Sequence, residues 1–211
     1  ESPMKKTVLL FLSSVAFALV LGEVFVRVFA HPRNVGPGFT DYDSTYGKRH
    51  KKNFTGTRIT PEFTFQLTTN SLGFRGPELK KFPERGILFL GDSFTEGYGV
   101  TDGEEFPALI RQKLDSRYGS DSIPVLNAGS GGYGQSQPLK FLQKEGRHYN
   151  PRLVVLQVME NDFHDDLYEG MYALDKSDKV VDLAIPGPPF MLKIRNIIES
   201  VPGLSYSYLF A

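Results

Sequence analysis

The sequence predicts an α/β fold in which a parallel sheet is covered on both faces, preceded by an apolar N-terminal helix. From residue 86 onward, short apolar runs alternate with segments whose apolar residues recur at helical spacing. Strands that alternate with helices are typical of parallel sheets, whose buried strands are continuously apolar. Residues 4–30 form a separate and longer apolar segment.

The N-terminal segment, residues 1–30, is interpreted as a signal-anchor or transmembrane helix. Two lysines precede an uncharged run over residues 7–22, and Glu23 and Arg27 interrupt the apolar stretch that follows. An anchor needs about 20 mostly apolar residues, which this segment supplies if Glu23 is tolerated near its end. A cleaved signal peptide is the alternative, and a buried soluble helix is a third. On the first two interpretations the lysines place the rest of the chain outside the cytoplasm, anchored or secreted.

Residues 31–84 are predicted to form an extracytoplasmic linker and an N-terminal extension. The stretch 31–56 is rich in Gly, Pro, Asp and Lys, which favours a linker leaving the membrane. Phe63, Phe65 and Leu67 alternate with polar residues and predict a strand.

Composition excludes several functional classes. The 24 basic and 24 acidic residues balance, and no basic stripe is present, so we expect no nucleic-acid partner. The absence of cysteine rules out disulfides, thiolate nucleophiles and cysteine-ligated zinc. We expect no cofactor and no metal.

The main domain is predicted over residues 85–211. Its three buried strands are expected in "GILFLG", "IPVLNAG" and "RLVVLQVM", and its first two helices in "GEEFPALIRQKLDSRYG" and "GQSQPLKFLQKEGRHY". The segment "MYALDKSDKVVDLAIPGPPF" is turn-rich and suggests a hairpin, after which a helix is expected until Pro202.

Each of the three strands ends in a loop of small or polar residues: "GDSFTEG", "NAGSGGYG" and "MENDFHDD". Ligands bind beyond the carboxyl ends of the strands in an open parallel sheet, so we expect these loops to converge. Ser93 is the candidate nucleophile, and helix capping is the alternative for it. A glycine N–H of the second loop and the Asn161 amide are candidate donors to an oxyanion.

These motifs resemble those of the SGNH hydrolase superfamily, also called GDSL esterases. The resemblance rests on Gly91-Asp92-Ser93, on the glycine loop and on Asn161-Asp162. It implies a three-layer α/β/α, flavodoxin-like fold that hydrolyses esters, often acetyl esters on carbohydrates, or transfers acyl groups. By the same resemblance, Ser93 is the nucleophile and Gly132 and Asn161 complete the oxyanion hole. Together with the anchor and "NSLGFRG", the motifs look like the membrane-anchored bacterial branch.

The sequence departs from the superfamily in two places. Met159 stands where the third motif usually has glycine, and no Asp-x-x-His, the superfamily's source of base and acid, is present. Two histidines, His31 and His50, fall in the expected linker; His148 and His164 are not expected to replace the base. We therefore interpret the chain as a partial copy that ends before its base. A non-catalytic binding domain is the alternative to an ester hydrolase or an O-acyltransferase acting on an ester or an acylated glycan.

Three further patterns have alternative interpretations. Gly129, Gly131 and Gly134 spell a dinucleotide-binding fingerprint, G-x-G-x-x-G. Residues 160–166 are acidic and include His164, so they suggest either a divalent metal site or, as we favour, a solvated loop. Phe74 and Arg75 are interpreted as ordinary packing and surface residues.

Overall fold

A computed structural model describes residues 3–29, 34–79 and 86–210; His31 therefore lies outside the described residues. The helices and strands, in chain order, are α1 (Pro3–Phe29), β1 (Thr40–Asp43), β2 (Gly47–His50), β3 (Thr55–Ile59), β4 (Thr64–Thr68), β5 (Ile87–Leu90), α2 (Ser93–Glu96), α3 (Phe106–Tyr118), β6 (Val125–Asn127), α4 (Ser136–Lys144), β7 (Leu153–Leu156), α5 (Asn161–Glu169), β8 (Tyr172–Leu174), β9 (Val180–Asp182) and α6 (Phe190–Glu199). Short 3₁₀ turns occupy Gly146–Tyr149 and Leu204–Tyr206.

The predicted parallel sheet is confirmed, with strand order β6-β5-β7. The central strand β5 pairs in parallel with both neighbours, so that Leu88 lies opposite Leu126 on one side and Val154 on the other. Because all three strands run the same way, their carboxyl ends meet at one edge of the sheet.

Both faces of β5 are covered. Leu88 and Leu90 belong to a buried cluster that includes Phe141 of α4, whereas Phe89 packs against Phe106 of α3 with ring centroids 5.5 Å apart. Successive strand residues point to opposite faces. The helices α3 and α4 therefore lie on opposite faces of the sheet, which gives the α/β/α layering.

The outer strand β7 is much more exposed than β5. Leu153 is 50% exposed and Leu156 48%, whereas Leu88 is fully buried. Side chains on β7 consequently contribute much less to the core than their apolar character suggests.

The expected linker is wrong for residues 34–56, which fold onto the domain. The strands β1 and β2 form one antiparallel hairpin, and β3 and β4 form a second. Val35 exchanges two backbone hydrogen bonds with Ile59, and Phe39 packs with Phe65 and Leu67 in a satellite core. The Gly, Pro and Asp residues supply the turns of these hairpins, because a tight turn needs the residues that a linker also favours.

The C-terminal predictions are confirmed as a hairpin of β8 with β9 and the helix α6. The helix α6 returns to the N-terminal extension through Glu199, which accepts hydrogen bonds from Lys51 Nζ at 2.5 Å and Gly38 N at 2.7 Å. Residues that are 148 and 161 positions apart in the sequence are therefore in direct contact.

The helix α1 is long and apolar enough to cross a membrane by length and composition, criteria that a signal sequence near the N-terminus also meets. Its Glu23 carboxylate is not isolated. It accepts hydrogen bonds from Ser207 Oγ at 2.6 Å and Leu209 N at 3.0 Å, and Arg27 Nε lies 2.7 Å away.

We expect Leu88→Ala to lower the free energy of unfolding by about 2–5 kcal/mol, because the change leaves a cavity in a core covered on both faces. The matched control, Leu153→Ala on the exposed strand β7, should cost about 1 kcal/mol. Urea unfolding of both variants measures the difference. Equal losses would contradict the uneven burial of the sheet.

Candidate active site

The three strand-end loops meet at the carboxyl edge of the sheet. Asn161 Nδ2 lies 3.4 Å from Asp92 Oδ2, so the loop after β7 reaches the loop after β5. A Cβ placed on Gly131 would lie 3.7 Å from Ser93 Cβ, so the loop after β6 reaches it too. The sequence-based expectation of convergence agrees with this geometry.

Ser93 begins the short helix α2 directly after β5, but it does not cap that helix. Asp92 is the N-cap, and its Oδ1 accepts the Phe94 N–H at 2.9 Å. Ser93 is half-buried. Within the described part of the chain its hydroxyl forms no hydrogen bond, so the side chain is available for chemistry.

The glycines of the second loop allow α2 and β2 to approach closely. A Cβ on Gly129 would lie 2.4 Å from Glu96 N, which shows that this loop packs against the backbone of α2. Gly132 has φ +71°, and a Cβ there would lie 2.7 Å from Lys48 Nζ. Position 132 therefore favours glycine both for its backbone conformation and for the approach of Lys48.

Asn161 lies at the start of α5, beside the loop that carries Ser93. Its side-chain amide donates to two carboxylates. Nδ2 donates to Asp165 Oδ2 at 3.0 Å and to Asp92 Oδ2 at 3.4 Å. The side chain is exposed, so a substrate oxygen has access to it.

The acidic residues near Asn161 do not form the solvated loop that we favoured from the sequence. Asp162 is fully buried, and its Oδ2 accepts the Met159 N–H at 2.7 Å and a short hydrogen bond from Gln135 Nε2. Asp166 accepts the N–H groups of Gln135 and Ser136, both at 3.0 Å, at the start of α4. Both carboxylates therefore satisfy backbone donors, and no group of three or more potential metal ligands occurs among the described residues.

Burial raises the pKa of the Asp162 carboxyl, and the charge of Asp92 acts in the same direction. The Met159 N–H and the Gln135 amide oppose this shift. A carboxyl whose pKa is raised by folding favours the folded state at low pH, and this contribution is lost as the pH rises through the folded-state pKa.

Asp166 also argues against the dinucleotide alternative. A Cβ on Gly134 would lie within van der Waals overlap of Asp166 Oδ1, so this carboxylate fills the space beside the glycine loop. A pyrophosphate binds at a helix N-terminus because the helix dipole favours negative charge. At α4 the protein's own carboxylate already occupies that position.

Arg75 is not the surface residue that the sequence suggested. Its side chain is fully buried, and Nη1 donates to the carbonyls of Glu96 at 2.9 Å and Gly97 at 2.7 Å, at the end of α2. The neighbouring Phe74 is buried in the main core, as expected of a packing residue. The signal that sequence reasoning missed is an arginine between two turn glycines, Gly73 and Gly76, which have φ +83° and +124°.

The sequence interpretation placed His50 in a linker, and this prediction is wrong. His50 lies in the core beside α2. Its Nε2 lies 2.5 Å from Glu96 Oε1, and both side chains are almost fully buried. The other described histidines are exposed: His148 lies in a 3₁₀ turn, and His164 packs on Tyr168 with ring centroids 4.6 Å apart. None of them bonds to Ser93 in the described residues.

Part of the chain is similar to known proteins. Residues 87–186, just under half of the chain, match the family described as GDSL-like Lipase/Acylhydrolase. A crystal structure of AlinE4, described as an SGNH-hydrolase family esterase, is 23% identical with a TM-score of 0.30, covering 60% of this chain and 67% of that one. A mutant form of AlinE4 gives the same TM-score at 22% identity. No match was found among curated proteins.

The fold is of the α/β class, and Ser93 directly follows the loop at the end of its central strand. The match over residues 87–186 makes this segment similar to GDSL-like lipases and acylhydrolases.

We expect His50→Ala to lower the free energy of unfolding by about 3 kcal/mol or more, because it leaves the Glu96 carboxylate buried without its partner. The double variant His50→Ala, Glu96→Gln should be more stable than the single one, since an amide costs less to bury than a charge. Urea unfolding of the three proteins tests this. A double variant less stable than His50→Ala would contradict the pairing.

Proposed function

We propose that this protein is a serine ester hydrolase whose nucleophile is Ser93. The observation that carries the proposal is the position of the Ser93 hydroxyl. Ser93 is the first residue of α2, after the end of the central strand, and Asp92 rather than Ser93 caps this helix. The Ser93 hydroxyl forms no hydrogen bond among the described residues. The similarity of residues 87–186 to a family of lipases and acylhydrolases supports the same reaction.

In the proposed reaction, Ser93 Oγ adds to the carbonyl carbon of the ester, and the bond from that carbon to the alcohol oxygen breaks. The proton lost by Ser93 passes through solvent water to the departing alcohol, since no base bonds to Ser93 among the described residues, and water then cleaves the acyl-serine ester. The N–H groups of Ser93 and Gly132 and the amide of Asn161 hold the oxyanion, for which one Asn161 hydrogen turns away from its carboxylate partner. Backbone and amide donors of this kind are the usual oxyanion stabilisers.

An apolar cavity of about 820 Å³ adjoins this region, and we infer that it receives part of the substrate. Its walls come from the β1–β2 hairpin, from residues 168–171 and from residues 183–195. Lys48 links the cavity to the proposed oxyanion loop, because it lines the cavity and its Nζ lies near Gly132. Ser93, Gly132 and Asn161 themselves do not line the cavity. Lys48 is paired with Glu169 at 3.0 Å and Arg195 with Asp41 at 3.6 Å. An uncharged, largely apolar group fits such walls best.

The N-terminal helix supports a location at a membrane, with the domain on the extracytoplasmic side. Lys5 and Lys6, in the first turn of α1, favour the cytoplasmic side, and Glu23 near the other end of the helix is bonded to Ser207 and Leu209 of the domain.

Turnover of p-nitrophenyl acetate by the purified chain tests the proposal. Ser93→Ala should abolish turnover above the rate of the buffer, because the acyl-enzyme cannot form. Asn161→Ala should lower kcat by about 100- to 1,000-fold, the usual cost of one oxyanion donor.

Ser116→Ala is the matched control, since it removes an exposed hydroxyl on α3 and should keep the wild-type rate. Equal rates for the wild type and Ser93→Ala would refute Ser93 as the nucleophile.

A further inference from the structure

We propose that Arg75 is a positioning residue for Ser93, an inference that rests on the proposed role of Ser93 as nucleophile. Arg75 belongs to the N-terminal extension, outside the segment that matches the family. Its guanidinium group binds the end of α2 and the loop that follows, and through them it fixes the turn on which the Ser93 hydroxyl is carried.

All five N–H donors of the Arg75 guanidinium are used. An arginine side chain has one hydrogen on Nε and two on each terminal nitrogen. The acceptors are the carbonyls of Glu96 (2.9 Å) and Gly97 (2.7 Å) for Nη1, the carbonyls of Gln66 (3.1 Å) and Val100 (2.7 Å) for Nη2, and Asp102 Oδ1 (3.1 Å) for Nε. Three of the four carbonyls belong to residues 96–100, immediately after the nucleophile.

Those carbonyls belong to the turn that closes back on Ser93. The N–H groups of Gly97 and Tyr98 both donate to the Ser93 carbonyl at 2.9 Å. Arg75 therefore binds the carbonyl groups of a turn whose N–H groups donate to the Ser93 carbonyl. Displacement of the Glu96 or Gly97 carbonyl moves the peptide units that hold Ser93.

The fit between Arg75 and this turn is close. Gly97 has φ +84°, and a Cβ there would lie 2.7 Å from Arg75 Nη1 and closer still to Glu105. Glycine at this position both allows the left-handed conformation and leaves room for the guanidinium.

The backbone of Arg75 is itself fixed to the sheet. Arg75 forms isolated antiparallel bridges with Thr69, which follows β4, and with Asn127, the last residue of β6. Asn127 begins the second strand-end loop, whose Gly129 packs on α2. Arg75 therefore connects three parts of the fold: its backbone bridges the end of β6, and its guanidinium binds Gln66 of β4 and the turn after Ser93.

The charge of Arg75 is balanced where it lies. Asp102 is 3.1 Å and Glu105 3.9 Å from Nε, and the arginine side chain is fully buried. A buried cation is tolerated when it is paired and hydrogen-bonded, and here both conditions hold. Lysine cannot replace this arrangement, because it has three donors and no planar fork.

The test compares Arg75→Lys with Arg58→Lys in the full chain. Arg58 is a matched control because it also donates to two carbonyls of the N-terminal extension, those of Gly36 and Pro37, and to none in α2. Hydrogen exchange followed by mass spectrometry reports the N–H groups of residues 91–100, and p-nitrophenyl acetate kinetics separate kcat from KM.

Arg75→Lys should speed exchange within residues 91–100 while exchange in β5 and β6 stays unchanged. It should lower kcat by about 100-fold with little change in KM, because a nucleophile displaced by about 1 Å loses rate on that scale. Arg58→Lys should leave both readouts at wild-type values.

Two results would overturn the inference: wild-type exchange over residues 91–100 in Arg75→Lys, or equal acceleration across the whole chain in both variants. The second result would show a general structural role alone. A third result is a wild type without turnover while Arg75→Lys still speeds hydrogen exchange only within residues 91–100. That result would refute the proposed function and would support the role of Arg75 in holding this turn.

Discussion

The buried guanidinium of Arg75 is the interaction on which the arrangement of the candidate site depends. A strand can deliver a serine to the edge of a sheet, but the four residues of α2 are too few to hold themselves in place, because isolated helical turns are unstable. Arg75 binds the carbonyls at the end of this turn, His50 binds the Glu96 side chain, and Gly129 packs on its backbone. Two of these three supports come from the N-terminal extension.

The N-terminal extension therefore contributes directly to the candidate site. Residues 34–79 form two hairpins and the segment that carries Arg75. His50 and Arg75 of this region contact α2, and the helix α6 holds the region through Glu199 and Lys51. The segment that matches the family begins at residue 87 and lacks these supports. The site is therefore assembled from parts on both sides of that boundary.

The sequence predicted the features that depend on local pattern. Continuous apolar runs located the three parallel strands, and helical spacing located α3 and α4, because a helix that buries one face has apolar residues at a period of 3.6. The exposure of β7 was not predicted, since its residues are as apolar as those of β5. The sequence did not predict the features that depend on contacts between residues far apart in the chain. A stretch rich in Gly, Pro and Asp is compatible with a linker or with hairpins, and only the burial of Val35, Phe39 and His50 distinguishes the two. Arg75, Asp162 and Asp166 were assigned to the surface because charged side chains are usually exposed, and their partners lie far away in the chain. The roles of Ser93, Gly132 and Asn161 remain predictions.

The most direct test of the central claim is to map the residue that reacts with a fluorophosphonate. Attack of a serine oxygen on phosphorus expels fluoride and leaves a stable adduct, so the reaction records nucleophilicity without requiring turnover. Mass spectrometry of the digested protein should find one adduct, on Ser93, in the wild type and none in Ser93→Ala. An adduct on another residue, or an unmodified Ser93 in folded protein, would contradict the account.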